Sequence, residues 1–241
     1  MMRGPLTNIR GLVAGSYGLL FPPRCACCGE ELVDAARPEH GVSFCQPCLA
    51  SFGPTDRHGC PRCGAALPED QPASGDCPQC KGAKLHFDAV VALGGYHAGL
   101  RASVLRMKRP AHDALSLALG RLLGERRHGQ LSAFHADLIV PIPMFWRRRV
   151  GRGKNSPEVI ARCLAESLRL PAPRGVLVRC RNTLPQAGLA PSRRFANVRG
   201  AFRVRRPAAI RGARVLLVDD VLTTGATCGE AARVLKQAGA L

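Results

Sequence analysis

Two adjacent carboxylates followed by a run of hydroxyl side chains are the residues of this sequence best suited to chemistry. Asp219 and Asp220 come directly after the apolar run Val215–Val218, which predicts a buried strand. The loop that follows, before a helical pattern resumes, consists of Thr223, Thr224, Gly225, Ala226 and Thr227. Backbone amides and hydroxyls at a helix N-terminus bind phosphate. Carboxylates bind magnesium or accept hydrogen bonds from sugar hydroxyls, so the stretch suits a ligand that combines these groups.

A ribose 5-phosphate meets these requirements together. The loop takes the phosphate, and Asp219 and Asp220 take the ribose hydroxyls, directly or through magnesium. An alternative interpretation needs no ligand: two solvated aspartates end a strand, and the threonines cap the next helix. Residue types alone leave both interpretations open.

Four C-x-x-C pairs lie in the first third of the chain. Two residues between thiols let one tight turn direct both sulfurs at one ion, and two such pairs give the four-thiolate shell that zinc favours. Combining consecutive pairs predicts one site at Cys25, Cys28, Cys45 and Cys48 and a second at Cys60, Cys63, Cys77 and Cys80. A cross-braced pairing fits the spacing as well. Because four thiolates leave no open position on the metal, both zinc ions are predicted to be structural.

A disulfide framework is the alternative for these cysteines, and it requires an oxidising compartment. The apolar run near the N-terminus is a poor export signal because three glycines interrupt it, and an amphipathic helix over residues 1–22 fits it better. No apolar run reaches the length of about 18 residues that a membrane span needs. We therefore expect a cytoplasmic protein with zinc-bound thiols. Cys27, inside the first pair, should point away from the metal.

Charge and cysteine content both change near residue 84. Residues 1–84 hold nine of the twelve cysteines and eight basic against eight acidic residues. Residues 85–241 therefore carry the whole net charge of +18. The sequence predicts a double zinc ribbon over 23–84 and a second, basic domain over 85–241, whose charge favours polyanionic partners.

Strands alternate with helices after residue 86, which predicts an α/β fold with a mainly parallel sheet and helices on both faces. The predicted strands are FDAVVALGGY, ADLIVPIP and RVLLVDDV. The predicted helices are GLRASVLRMK, ALSLALGRLLGER, SPEVIARCLAESLRL, with Ser156 as its N-cap, and TCGEAARVLKQAG. Ligands bind at the carboxyl ends of strands in such sheets, and Asp219 and Asp220 lie at such an end.

Several segments together resemble the ComF family, whose members join a double zinc ribbon to a type I phosphoribosyltransferase domain. VLLVDDVLTTGAT resembles the phosphoribosyl pyrophosphate motif of those transferases. LIVPIPMFWRRRVGRGKNSPEVIARCLA resembles the family's strand, proline turn and RG-x-N segment. LVRCRNTLPQAGLAPSRRFANVRGAF resembles its R-x-R-x-T-x-x-Q segment, and LRASVLRMKRPAHDALSLALGRLL resembles its lysine-containing region. The similarity extends over nearly the whole chain.

The resemblance implies a role for each matching residue. Asp219 and Asp220 would be the catalytic acids that hold the ribose hydroxyls, and Thr223–Thr227 would bind the 5-phosphate. Lys108 matches the family lysine. The residues implied to face the pyrophosphate are Arg179, Arg181, Thr183 and Gln186 in one segment and Arg149, Arg152, Gly153 and Asn155 in another. For Arg193, Arg194, Arg199 and Arg203, a solvated arginine on a basic protein is at least as good an interpretation.

Two features depart from the family pattern. Lys154 and Ser156 stand where the family has an aromatic residue and a glutamine, so contacts from those side chains are not carried over. The family continues with another strand after the segment that matches LKQAGAL. We therefore expect a sheet that lacks its C-terminal strand and has an unpaired edge.

Two functions of different classes follow from the resemblance. The first is transfer of a phosphoribosyl group from phosphoribosyl pyrophosphate, with magnesium, to an acceptor that the sequence does not identify. The second is a non-catalytic role in DNA uptake, because ComF members are associated with natural competence. In that role the basic domain binds single-stranded DNA through its phosphates, or the protein acts as an adaptor for competence proteins.

Overall fold

The computed structural model describes residues 22–32, 43–53, 59–68, 77–109, 112–152 and 154–241. The helix predicted over residues 1–22 lies outside these ranges apart from its last residue. The side chains of Gly151, Arg152 and Ala187 also lie outside the described part of the chain.

The described residues form eight α-helices, two short 3-10 helices and four strands. The helices are α1 Gln46–Ser51, α2 Ala98–Met107, α3 Asp113–Arg126, α4 His128–Ser132, α5 Trp146–Arg152, α6 Ser156–Leu168, α7 Pro191–Val198 and α8 Ala226–Gln237. The 3-10 helices are Gln186–Gly188 and Pro207–Ala209. The strands are β1 Leu138–Pro141, β2 Leu177–Arg179, β3 Phe202–Val204 and β4 Val215–Val218. No described helix combines the length and the hydrophobicity that crossing a membrane requires.

A parallel pair of strands, β1 and β4, lies at the centre of the α/β part. Their register aligns Leu138 with Val215 and Pro141 with Val218, so the carboxyl ends of both strands meet at one edge. The amide of Ile142 extends the pairing by donating to the Val218 carbonyl over 2.8 Å. Strands β2 and β3 form a separate antiparallel pair. The segments that follow β1 and β4 are therefore neighbours.

Helices cover both faces of the parallel pair, as the sequence predicts for an α/β fold. Alternate residues of β1 point to opposite faces. Ile139 packs in one buried cluster with α2, α3 and α6, whereas Leu138 and Val140 pack in a second cluster with α8, β2 and β3. Burying both faces explains why the strands read as continuous apolar runs rather than as alternating patterns.

The strand predicted in FDAVVALGGY is wrong, because residues 87–96 have no regular secondary structure. The amide of Val90 donates to the Pro61 carbonyl over 2.8 Å, and the Ala92 carbonyl accepts from Arg127 Nε over 3.1 Å. These backbone groups contact the cysteine-rich part and the end of α3 instead of a neighbouring strand. The apolar pattern of this segment reflects packing against those parts.

The four predicted helices are present, with one shift at a terminus. Asn155, not Ser156, occupies the N-cap position of α6, and Pro157 and Glu158 lie in its first turn as predicted. Ser156 Oγ instead donates to the Met107 carbonyl at 3.4 Å. The serine therefore links α6 to the end of α2.

Candidate functional site

The eight cysteines of the C-x-x-C pairs form two separate four-thiol clusters. They are Cys25, Cys28, Cys45 and Cys48 in the first and Cys60, Cys63, Cys77 and Cys80 in the second, with the four sulfurs of each within 4.8 Å of one another. This confirms the consecutive pairing and excludes the cross-braced alternative. None of the described cysteines forms a disulfide, and the grouping of these eight into two four-thiol clusters contradicts the disulfide interpretation.

The spacing of the sulfurs fits a tetrahedral metal. Neighbouring sulfurs lie 3.6 Å apart in Cys28–Cys45 and in Cys63–Cys77, and 3.8 Å apart in Cys60–Cys80. A zinc ion with four sulfurs at about 2.3 Å requires sulfur–sulfur distances of about 3.8 Å. Each cluster therefore suits one structural zinc ion.

Cys27 points away from the first cluster, as the sequence predicts. Its Sγ lies 3.3 Å from Ser103 Oγ on α2, and its carbonyl accepts a hydrogen bond from Arg106 of the same helix. The first cysteine pair is thus attached to the helix that ends immediately before Lys108.

The two predicted acids follow β4 at the edge where β1 also ends. The amide of Asp220 donates to Asp219 Oδ1 over 2.8 Å, and the Cys228 thiol lies 3.7 Å from Asp219 Oδ2. Lys108 Nζ lies 3.2 Å from Asp220 Oδ2. Lys108 directly follows α2, the helix that contacts Cys27. The structure therefore places this lysine beside the acids, a contact that the sequence does not indicate.

Burial and a neighbouring charge make Asp219 an unusual carboxyl. Burial raises the pKa of Asp219 from 3.8 to about 7, the charge of Asp220 adds to the rise, and the charge of Lys108 opposes it. Without further positive charge, this carboxyl binds a proton near neutral pH. A cation or a hydroxyl donor bound at the site would favour its ionised form.

The loop after the acids leaves its donors unused. Gly225, with φ +74°, is the N-cap of the 12-residue helix α8, so the last two residues of the loop lie in the first turn of that helix. Within the described chain, the amides of Thr223 to Thr227 donate to no protein acceptor. Thr224 Oγ1 is buried and has no partner among the described residues. Buried polar groups are nearly always paired, so the unpaired hydroxyl and the helix N-terminus together make this loop a candidate position for an anion.

The segment around Gln186 reaches this loop from the other side. Gln186 Nε2 donates to Thr227 Oγ1 at 3.3 Å, and Gln186 Oε1 accepts from Asn197 Nδ2 at 3.3 Å. Arg181 donates to the carbonyls of Asn197 and Arg199, so it supports the end of α7. Of the four residues predicted to face the pyrophosphate in this segment, Gln186 contacts the loop, whereas Arg181 is bonded to backbone carbonyls.

Arg179 lies close enough to Asp219 for the aspartate charge to act on its guanidinium. The guanidinium stacks 5.3 Å above the Phe202 ring and donates to the hydroxyl of Thr183, whose carbonyl accepts from Arg148. Burial lowers the pKa of Arg179, and the charge of Arg148 adds to the effect, while the charge of Asp219 opposes it. Arg148 and Arg179 therefore meet at Thr183, and of these two only Arg179 was predicted from the sequence.

The proline-turn segment supplies structural contacts. Asn155 Nδ2 donates to the buried Ile142 carbonyl over 2.9 Å, and Arg149 forms a bidentate pair with Glu158 at 2.9 Å. Arg152 is the last residue of α5, and Gly153 lies outside the described residues. The ligand contacts expected from Arg149 and Asn155 therefore compete with interactions that the protein already makes.

Sequence reasoning missed three residues of the site. Arg148 lies beside the expected Arg149 in a run of basic residues, and nothing in that run distinguishes it. Cys228 lies outside the C-x-x-C pairs, and nothing in its sequence surroundings indicates that its thiol contacts a carboxylate. Asn197 is part of the matched segment NVRGAF, which gave it no separate role. Only tertiary contacts could have identified these residues.

The paired cysteine clusters and the α/β part define a class: a zinc ribbon protein with an α/β domain whose candidate site lies at the edge of a parallel sheet. The protein-family model "Double zinc ribbon domain" matches residues 17–81. This match covers both four-thiol clusters and supports their assignment as two structural zinc sites.

Relatives narrow the class further. Competence protein F of Haemophilus influenzae is 30% identical over 228 residues, which cover 91% of this chain and 93% of that protein. DNA utilization protein YhgH of Salmonella typhimurium is 32% identical over 75% of this chain and 79% of that protein. DNA utilization protein YhgH of Escherichia coli K12 is 29% identical over 77% of this chain and 81% of that protein. The chain belongs to the ComF family.

Proposed function

We propose that this chain binds phosphoribosyl pyrophosphate, or the related ribose 5-phosphate, with magnesium at Asp219, Asp220 and Thr223–Thr227. One observation carries the proposal: the buried Thr224 hydroxyl and five consecutive amides have no partner among the described residues, beside two carboxylates. The amides suit the 5-phosphate. The carboxylates suit the ribose hydroxyls.

The residues at the sheet edge also fit a magnesium ion. Magnesium prefers carboxylate oxygens together with phosphate oxygens of the substrate. Asp220 has one oxygen next to Lys108, and its other oxygen takes part in no described hydrogen bond or ion pair. A bound magnesium ion would neutralise charge on the diphosphate. It would also favour the ionised form of Asp219.

The same arrangement supports transfer of the phosphoribosyl group. The C1–O bond breaks, its electron pair leaves with pyrophosphate, and a lone pair of the acceptor forms the new bond to C1 as the acceptor loses a proton. Arg179, whose pKa responds to the charge of Asp219, and the neighbouring Arg148 would stabilise the charge that develops on the leaving group. Asp219 and Asp220 would hold the ribose hydroxyls and orient C1.

Thermal unfolding tests the proposed ligand. Millimolar phosphoribosyl pyrophosphate with magnesium should raise the melting temperature of wild type, since a ligand at 100 times its Kd contributes about 2.7 kcal/mol. The Asp219→Asn/Asp220→Asn variant should lose this rise, and Glu166→Gln, an exposed acid on α6, should keep it. The proposal fails if the ligand stabilises neither wild type nor variant, or both equally.

A second function, binding of single-stranded DNA, is favoured by charge. Residues 85–241 carry the net charge of +18, and the relatives bear the names competence and DNA utilization protein. Binding through phosphates should weaken steeply with salt. A short single strand titrated at two salt concentrations tests this function, and an affinity that does not change with salt, or no binding at low salt, rejects it.

A further inference from the structure

The second cysteine cluster lies against the candidate phosphate loop. Cys60, Cys77 and Cys80 are buried together with Leu85, and Phe87 packs against the same group. Leu85 and Phe87 follow the last cysteine of the cluster by only five and seven residues. The position of these two side chains therefore depends directly on how the cysteines are held.

Gly225 shows how closely the loop approaches these side chains. A Cβ atom at Gly225 would lie 2.9 Å from Leu85 Cδ2 and 3.1 Å from Phe87 Cζ. The φ angle of +74° also favours glycine at this position. The close approach and the φ angle together require glycine at the position where α8 begins. The packing of Leu85 and Phe87 therefore helps to set the orientation of the Thr223–Thr227 amides.

A second contact lies one turn earlier in the loop. A Cβ atom at Gly64, the residue after Cys63, would lie 2.9 Å from Val90 Cγ1 and 3.7 Å from Leu222 Cδ2. Leu222 immediately precedes the threonines of the loop. The second cluster and the segment after it therefore contact the loop region at two places, at Leu222 just before the threonines and at Gly225 between them.

Hydrogen bonds attach the segment that carries these side chains to the cysteine turn. Arg62 Nη2 donates to the Leu85 carbonyl over 3.2 Å, and the Val90 amide donates to the Pro61 carbonyl over 2.8 Å. Pro61 and Arg62 are the two residues between Cys60 and Cys63. A change at this C-x-x-C turn is thus transmitted through residues 85–90 to the loop.

We propose that metal bound at the second cluster holds the phosphate loop in its binding conformation, with Leu85 and Phe87 as positioning residues. Without the metal, the four thiols lose the ion that would join them, and the segment 85–90 is held less firmly. The loop then occupies its binding conformation for a smaller fraction of the time. The apparent affinity for the ligand falls in proportion to that fraction. The effect on ligand affinity rests on the proposed function; the effect on loop order does not.

Two variants and one control test the proposal. Leu85→Ala removes the packing against Gly225 and leaves every cysteine in place. Cys63→Ser removes one thiolate of the second cluster. Leu67→Ala is the matched control, because Leu67 packs on the same cluster and is not among the side chains nearest Gly225 or Gly64.

Hydrogen exchange of the ligand-free proteins gives the readout that is independent of ligand. Peptides covering 221–228 should exchange at least tenfold faster in Leu85→Ala and Cys63→Ser than in wild type, and within about twofold of wild type in Leu67→Ala. Metal analysis should give two zinc ions for Leu85→Ala and one for Cys63→Ser. Equal exchange in Leu85→Ala and Leu67→Ala overturns the proposal, whether or not Cys63→Ser folds.

Calorimetric titration with phosphoribosyl pyrophosphate and magnesium completes the test. Leu85→Ala should bind at least tenfold more weakly than wild type while Leu67→Ala binds as wild type does. Loss of loop order without any loss of affinity overturns the role in binding. If wild type does not bind the ligand while the exchange pattern is as expected, the proposed function fails and the metal-dependent ordering of the loop stands.

Discussion

Replacing Asp219 by Asn should stabilise the ligand-free protein, and the gain should grow as the pH rises. Burial raises the pKa of Asp219 to about 7, whereas the same carboxyl in the unfolded chain titrates near 3.9. Between these values the folded state binds more protons than the unfolded state, so the free energy of unfolding falls with rising pH. Asparagine stays neutral at every pH, so the free energy of unfolding of Asp219→Asn lacks this decline.

The pKa values set the size of the effect. In the pH range where the carboxyl is ionised in the unfolded state but protonated in the folded state, the free energy of unfolding falls by about 1.36 kcal/mol per pH unit. From pH 5 to pH 8, the stability of Asp219→Asn relative to wild type should rise by about 2.5 kcal/mol. The partial solvent exposure of Asp219 makes this value an upper bound.

Urea unfolding at pH 5, 6, 7 and 8 measures this difference, in buffers free of magnesium and phosphate. Protonation of the zinc thiolates affects both proteins and cancels in the comparison. Glu166→Gln removes an exposed acid and should give a difference that does not change with pH. Parallel pH profiles for wild type and Asp219→Asn, or a variant that becomes relatively less stable toward pH 8, would refute the reasoning.

Three further substitutions test other parts of the site. Lys108→Met should shift the Asp219-dependent part of the urea profile to higher pH, because the lysine charge lowers that pKa; an unshifted profile contradicts this. Cys48→Ser should leave one zinc ion by metal analysis instead of two, since each cluster needs four thiolates; two retained ions would contradict it. Asn155→Ala should cost about 1–2 kcal/mol in urea unfolding through its lost bond to Ile142, and leave calorimetric ligand affinity nearly unchanged; weaker binding at full stability would show a direct ligand contact.

The sequence predicted those parts of the site that depend on local chemistry. The spacing of Cys25 and Cys28 determines a turn that directs two sulfurs at one ion, and the structure has that turn, closed by the Gly29 amide on the Cys25 carbonyl at 2.9 Å. The apolar run before Asp219 and Asp220 likewise identified a strand end. Such features are determined by a few consecutive residues, so they can be predicted from the sequence.

Features that depend on tertiary contacts were not predictable in the same way. The pattern of residues 87–96 suits a strand, but its backbone bonds to Pro61 and to Arg127, contacts that the pattern does not indicate. Lys108 was matched to the family without a function, and its contact with Asp220 depends on where α2 ends. Asn155 was expected to face a ligand, but it bonds a buried carbonyl that no local pattern indicates.

The boundary predicted at residue 84 follows composition, yet the core continues across it. Phe52, which is 1% exposed, lies in the same buried cluster as Leu115 and Ile139 of the α/β part, and Cys27 contacts Ser103 on α2. Deleting the zinc ribbon would therefore uncover the core under the sheet as well as remove the metals. If a protein without the ribbon failed to bind the ligand, the loss could come from the damaged core. It would therefore not show that the ribbon is the binding surface. Single substitutions that preserve Phe52 and the zinc content, such as Leu85→Ala, separate support of the loop from support of the fold.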